Sequence, residues 1–378
     1  MNKRFAKKFG NSTCASACSL WAGIAICGGL CLANFEVAFA RQQTDKDQGR
    51  GNQSAIDKST ETKPNPGMNS AEDKGDDSKV PVIDAAVDPV IGLTYSDPVT
   101  VKWKVGVKIS AGPTDAQNVY IAIPVPSNWP EQEVNVDSEE MPPSVGSVAY
   151  ANLKGGLRRQ LIKIPVLRAR ETMELTTIFK VSTHQIHAPP NPSRFIKADS
   201  KLAEAEVYLE KTRYISFHNS KIREQISTLV AEKKEAWKEV EAIYDWVRNN
   251  IDQKEMPNTD TLKTFRKKEG SEEDKVALFV AMCRSHKIPA RIVWVDGGCY
   301  AEFMLVDSQA RPHWFPCNVS GIREFGSISE PRIVLQKGEN FKVPEKKERQ
   351  KFVAEHLSCQ GTSRPVVAFV RELLPNDE

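Results

Sequence analysis

The sequence predicts an α+β protein in which an antiparallel β-sandwich precedes a second domain of helices packed on an antiparallel sheet. Three observations predict it. From about residue 90 to residue 187, apolar side chains recur at every second position. After Ser220 the period changes to that of a helix, and from Arg291 onward strand patterns return. The 378 residues are enough for about two domains with flanking segments, and 40% apolar content suits a folded globular chain with polar tails.

The first forty residues stand apart. Lys3, Arg4, Lys7 and Lys8 form a positive region, an apolar stretch is strongest from Leu20 to Ala33, and Ala38-Phe39-Ala40 is a small-x-small pattern. This is the grammar of a secretory signal peptide cleaved before Arg41. The alternative is an uncleaved anchor, since the uncharged run from Gly10 to Phe35 is long enough to span a bilayer. The expected location is therefore periplasmic or secreted, or else membrane-anchored by this segment. Of 52 basic and 49 acidic residues, the leader carries four basic ones and Glu36, leaving 48 of each. That balance gives no reason to expect nucleic acid as a partner, or a membrane surface unless the leader is retained. Residues 41–85 are polar and nearly free of large apolar side chains, the composition of a disordered spacer.

The sandwich is expected over residues 86–190. Val101, Trp103, Val105, Val107 and Ile109 alternate with mostly polar neighbours, as do Val119, Ile121, Ile123 and Val125. Further strands are expected at 158–166 and 172–181, with turn signals at Ala111-Gly112-Pro113, Pro142-Pro143 and Gly155-Gly156. The second domain is expected over 191–378. Ile222, Ile226, Leu229 and Val230 make one helix face, and Val240, Ile243, Tyr244 and Val247 a second. Ser271-Glu272-Glu273-Asp274 is a capping box that opens a third helix, with Val276, Phe279, Val280 and Cys283 as its buried stripe and Pro289 beyond its end. Strands follow at 291–295, 299–306 and 313–318, then a charged helix around 345–356 and a β-rich run at 366–370.

Several of these segments together resemble the transglutaminase-like superfamily over roughly residues 220–320. Val276-Ala277-Leu278-Phe279-Val280-Ala281-Met282-Cys283-Arg284 is similar to the family's helix. Ile288-Pro289-Ala290-Arg291, Cys299-Tyr300-Ala301-Glu302-Phe303 and Trp314-Phe315-Pro316-Cys317-Asn318 are similar to its later motifs, and Ile243-Tyr244-Asp245-Trp246-Val247 to its lead-in. The resemblance implies a Cys-His-Asp triad: a thiol activated at a helix N-terminus, a histidine base on a strand, and an aspartate that orients it.

The matching positions here hold Glu272, Gly298 and Asn318, so no triad member stands where the family has it. Glu272 in a first helical turn is favoured by the helix dipole and reads as capping rather than catalysis. Cys283 lies about 16 Å along the helix from its start, and His286 about 21 Å. The implied approach of 298 to 318 sets an antiparallel register in which Cys299 faces Cys317 and His313 faces Phe303. The cysteine pair then forms either a disulfide or two packed thiols. The resulting expectation is an exported, catalytically inactive domain that binds a protein or peptide. The alternatives are an acyl-transferase or cysteine-type peptidase with a displaced nucleophile, and a purely structural surface protein. No cofactor is expected. The mature part has no C-x-x-C pair to hold zinc, and irregular carboxylate sites for calcium are left open.

Overall fold

The computed structural model describes residues 92–375 apart from Lys154. The expected leader, the expected spacer and the first residues of the expected sandwich lie outside the described residues.

Strands β1 (Thr94–Tyr95) and β8 (Ile186–His187) pair at the junction of the two layers. Between them run β2 (Val99–Ser110), β3 (Ala116–Val125), β4 (Gln132–Glu140), β5 (Ser147–Asn152), β6 (Arg158–Leu167) and β7 (Thr172–Thr183). All four expected strands are present, and the alternation works as expected: Trp103, Val105, Val107 and Ile109 are buried against Val119, Ile121 and Ile123 of the facing sheet. Besides the two-residue β1 and β8, two longer strands of this region were not legible. β4 and β5 are polar and largely exposed because each lies at the edge of a sheet, where only one face meets a core.

The sandwich is completed from the other end of the chain. One sheet has the order β16-β3-β6-β5 and the other β17-β2-β7-β4, where β16 is His356–Gln360 and β17 is Val366–Leu374. The second domain therefore does not extend to residue 378 as the sequence suggests. Val367 and Phe369 pack on the sandwich core because the alternation of β17 matches the register of β2.

The intervening residues form the α-helical layer and a third sheet. The helices are α1 (Ala203–Leu209), α2 (Ser220–Val230), α3 (Ala236–Asn250), α4 (Thr261–Lys267) and α5 (Glu272–Ser285). The two-residue strands β9 (Asp252–Gln253) and β10 (Glu269–Gly270) flank α4. The sheet has the order β14-β13-β12-β11-β15, built from β11 (Ala290–Val295), β12 (Gly298–Val306), β13 (Pro312–Asn318), β14 (Glu324–Phe325) and β15 (Val334–Lys337). The expected helix at 345–356 does not form. Its charges leave no apolar stripe, and Phe341, Val343 and Val353 pack instead against Leu157 in extended and turn conformations.

Helix α5 is buried on all sides from Asp274 to Arg284, which fixes it as the centre of the second core. It packs on Cys299, Ala301 and Phe303 of β12, while Val293, Tyr300 and Val334 on the opposite face turn towards Ile186. Ile333 and Leu335 reach into the sandwich core, and the Gln132 side chain clamps the backbone of Val334 with hydrogen bonds of 2.7 and 3.0 Å. Sandwich and helical layer thus belong to one compact unit. Among the described residues no helix is long and apolar enough to cross a membrane.

Candidate functional site

The first turn of α5 is held in place before any chemistry is considered. Ser271 Oγ accepts the Asp274 amide at 3.1 Å, and Asp274 Oδ2 accepts the Ser271 amide at 3.1 Å, closing the capping box the sequence shows. Asp274 Oδ1 also accepts the Thr259 amide at 2.8 Å. Glu273 points aside to Asn258 and Lys351.

Glu272 is left facing the start of β12. A Cβ placed on Gly298 would lie 2.6 Å from Glu272 Oε2 and 3.0 Å from Arg332 Nη1. Positions 272 and 298 are therefore neighbours, as the family spacing implies, and the carboxylate fills the volume where a side chain at 298 would begin. Burial raises the Glu272 pKa above the ordinary carboxylate range, while Arg332 and the Cys299 amide pull it down without cancelling the rise.

Asn318, the last residue of β13, serves a turn. Its Oδ1 accepts the Ser320 amide at 3.0 Å and its Nδ2 donates to Glu324 at 3.4 Å. Its carbonyl accepts from Tyr244 Oη at 2.8 Å and Arg248 at 3.1 Å.

The register differs from the expected one by two residues. Cys317 pairs with Ala301, Cys299 pairs with Trp294 of β11, and His313 pairs with Leu305 rather than Phe303. The cause lies in the connecting turn. Asp307 Oδ1 accepts the amides of Gln309 at 2.9 Å and Arg311 at 3.0 Å, which fixes Val306 opposite Pro312 as the closing pair. A slip of two keeps side chains on the same face, so both cysteines still enter the α5 core, but not as direct neighbours across the strands. Cys299 and Cys317 are free thiols, as is Cys283, and burial pushes all three above the ordinary thiol range.

Three of the six histidines are committed elsewhere. His286 Nε2 lies 2.9 Å from Lys197 Nζ and 3.0 Å from Glu239, and burial and Lys197 push its pKa down. His313 Nε2 contacts Asp307 at 3.1 Å, and His184 Nδ1 donates to the Ser96 carbonyl at 2.7 Å. Among the described residues no histidine ring is hydrogen-bonded to a thiol or a serine hydroxyl. Nor does any cluster of three or more His, Cys, Asp or Glu form a metal site among them.

Much of the motif that carries the resemblance is structural. Arg284 is fully buried and chelates Glu339 at 2.7 and 3.0 Å while donating twice to the Ala290 carbonyl. Arg291 and Glu302 are register partners and an ion pair at 2.7 Å. The Arg291 guanidinium also stacks 3.8 Å from the Trp314 ring centroid. Lys337 closes the network with contacts of 2.6 Å to Glu302 and 2.6 Å to Glu131, the latter a sandwich residue. Burial opposes the ionisation of Glu302, but Arg291 and Lys337 outweigh it and hold the carboxyl below its ordinary range.

The family model of the transglutaminase-like superfamily matches residues 223–317. This segment is a transglutaminase-like domain. It runs from within α2 to the penultimate residue of β13 and contains both Glu272 and Gly298, while Asn318 lies one residue past the match. No curated protein matches the chain. A solved structure of a candidate cysteine protease from Cytophaga hutchinsonii is 15% identical, with a TM-score of 0.49 over 75% of this chain and 94% of its own. A candidate protease from Parabacteroides distasonis is 12% identical, with a TM-score of 0.24 over 58% of this chain and 47% of its own.

Arg332, the cation beside Glu272, was invisible to motif reading. It stands in an irregular segment between β14 and β15, beyond the transglutaminase-like match, with no periodicity to mark it.

Proposed function

We propose that the transglutaminase-like domain binds a protein or peptide without acyl-transfer chemistry, in a protein exported to the periplasm or cell surface. The observation that carries this reading is the Glu272 carboxylate seated over Gly298. A carboxylate with no adjacent base is a poor nucleophile towards an amide, and among the described residues no imidazole is hydrogen-bonded to Glu272 to activate it. The displaced-nucleophile alternative is disfavoured for the three core thiols, whose burial raises their pKa above the ordinary thiol range and so opposes thiolate formation.

Purified protein is expected to show neither amine incorporation into glutamine peptides nor peptide hydrolysis. Turnover that disappears in Cys283→Ala or Cys299→Ala would overturn this reading. For export, mass spectrometry of protein secreted by a bacterial host should find Arg41 as the mature N-terminus, and a retained Met1 on membrane-bound protein would favour the anchor.

The charge on Glu272 has a stability signature. Its folded pKa lies above the unfolded one, so the folded state gains from the bound proton, and that gain is lost as pH rises through the folded pKa. Glu272→Gln should therefore stabilise the protein near neutral pH and have little effect below the ordinary carboxylate range. Urea denaturation at pH 7.5 and pH 4, compared with the unsubstituted protein, checks the sign.

A further inference from the structure

Each sheet of the sandwich has two outer strands, β16 and β5 in one and β17 and β4 in the other. An outer strand exposes a row of unpaired backbone N–H and C=O groups, which proteins usually blunt with charge, irregularity or short length. Three of the four are blunted. β4 carries Asp137, Glu139 and Glu140 beside a break in register between Val136 and Ser138. β16 has five residues and a break between Ser358 and Gln360. β5 has six residues, and the Arg158 guanidinium covers its Tyr150 ring at 4.2 Å. β17 has no such device. Its nine residues pair with β2 from Val366 to Leu374 without a break, and only Arg371 and Glu372 are polar. Val366 is 74% exposed and Leu373 63%. Val367 and Phe369 are only partly buried, because the sandwich core runs out to this edge.

The charges at this edge select its partner. Opposite residues in an antiparallel pair share a face, so two copies of β17 related by a twofold axis place one residue opposite itself. An axis at Arg371 or Glu372 opposes like charges. An axis at Val367, Phe369 or Val370 leaves Glu372 opposite Thr362, Val366 or Ala368. An axis at Ala368 sets Glu372 of each copy opposite Arg364 of the other, Val366 opposite Val370, and Val367 opposite Phe369. Arg364 and Glu372 are both exposed, and the alternation of exposed Arg364, buried Pro365 and exposed Val366 keeps Arg364 on the outer face with Glu372. Neither side chain has an ion pair or hydrogen bond with a described residue of its own chain. Arg371 lies opposite the core residue Val105 and is held by Glu355, so it takes no part.

We propose that β17 is the interface of a homodimer. Two copies join antiparallel through this edge with Ala368 on the twofold axis and an Arg364–Glu372 pair on each side of it. The two four-stranded sheets become one continuous sheet. The small side chain of Ala368 lets the strands approach at the axis, and the facing strand completes the burial of Val367 and Phe369. The interface is independent of whether the transglutaminase-like domain turns over a substrate.

Sedimentation equilibrium of the full chain across the micromolar range is expected to show a monomer–dimer equilibrium. Ala368→Glu sets two carboxylates face to face on the axis, while Lys108 stands opposite position 368 within each chain and supports the folded monomer. The dimer should weaken by about tenfold, with an unchanged circular dichroism spectrum. Arg364→Glu and Glu372→Arg should each weaken it by about tenfold, and the double variant, which restores both pairs with exchanged signs, should recover most of the loss. A monomer throughout, or a dimer that Ala368→Glu leaves intact, would overturn the interface. A double variant no tighter than either single one would overturn the Ala368 register, and open-ended assembly would overturn the twofold closure.

Discussion

Replacing Glu302 with alanine is expected to lower the unfolding free energy by about 3–5 kcal/mol, the usual loss when one partner of a buried ion pair is removed. Glu302 bridges Arg291 at 2.7 Å and Lys337 at 2.6 Å, and its side chain is only 4% exposed. Without it, Lys337 retains Glu131 and Arg291 retains the Trp314 face, but a second positive charge has no counterion in the seam. Glu302→Gln keeps the shape and some hydrogen bonds, so its loss should be smaller. The pH dependence has a defined sign. The folded pKa lies below the unfolded one, so this stabilisation is present above the ordinary carboxylate range and fades as pH falls through the folded value. Urea denaturation of the parent and both variants reads the result, and a loss of less than about 1 kcal/mol for Glu302→Ala would mean that water reaches the network.

Trp237→Ala should be comparably severe, with a loss of about 3–5 kcal/mol. Trp237 is 5% exposed at the start of α3. Its ring stands edge-on to Phe303 at 5.5 Å, Phe315 at 5.1 Å and Phe325 at 5.1 Å, joining the helix to β12, β13 and β14. The indole also lies against the backbone of Gly326, where a Cβ would come within 2.6 Å of it. Gly326 has φ 74, so it combines a left-handed turn with a close approach that no other residue permits. Removing the indole leaves a cavity bordered by rigid rings and a fixed turn, which resist collapse. Trp237→Phe should recover about half of the loss. Thermal and urea unfolding decide it; a deficit under about 1.5 kcal/mol would show that the aromatic cluster repacks.

What the sequence revealed and what it hid follow one physical line. Strands β2, β3, β6 and β7 were legible because each buries alternate residues, and α2, α3 and α5 because each presents a helical stripe or cap. The edge strands β4 and β5 escaped because their exposed faces carry no period. The α4 helix escaped because it is short, although Asp260 caps it by accepting the Lys263 amide at 2.9 Å. At the site, the meeting of Glu272 with Gly298 was legible through the family spacing, yet the β12–β13 register was not. Motif spacing says which residues belong to the strands; the Asp307 turn decides which pairs close the hairpin. Arg332 had no local signature at all, since its place depends on how the sheet and sandwich meet.

The return of β16 and β17 to the sandwich has a consequence for how the chain acquires its shape. Each sheet needs a strand from the C-terminal stretch to complete it, so the first layer to be synthesised is the last that can be completed. These pairings close loops that contain the entire helical layer, and contacts so remote in sequence form slowly. Until they form, the outer edge of β2 has no partner and can capture another strand. The transglutaminase-like segment sits inside the closing loop, rich in nearby contacts, and is placed to fold while the sandwich waits. Biogenesis of this protein thus runs against the usual order in which N-terminal units finish first.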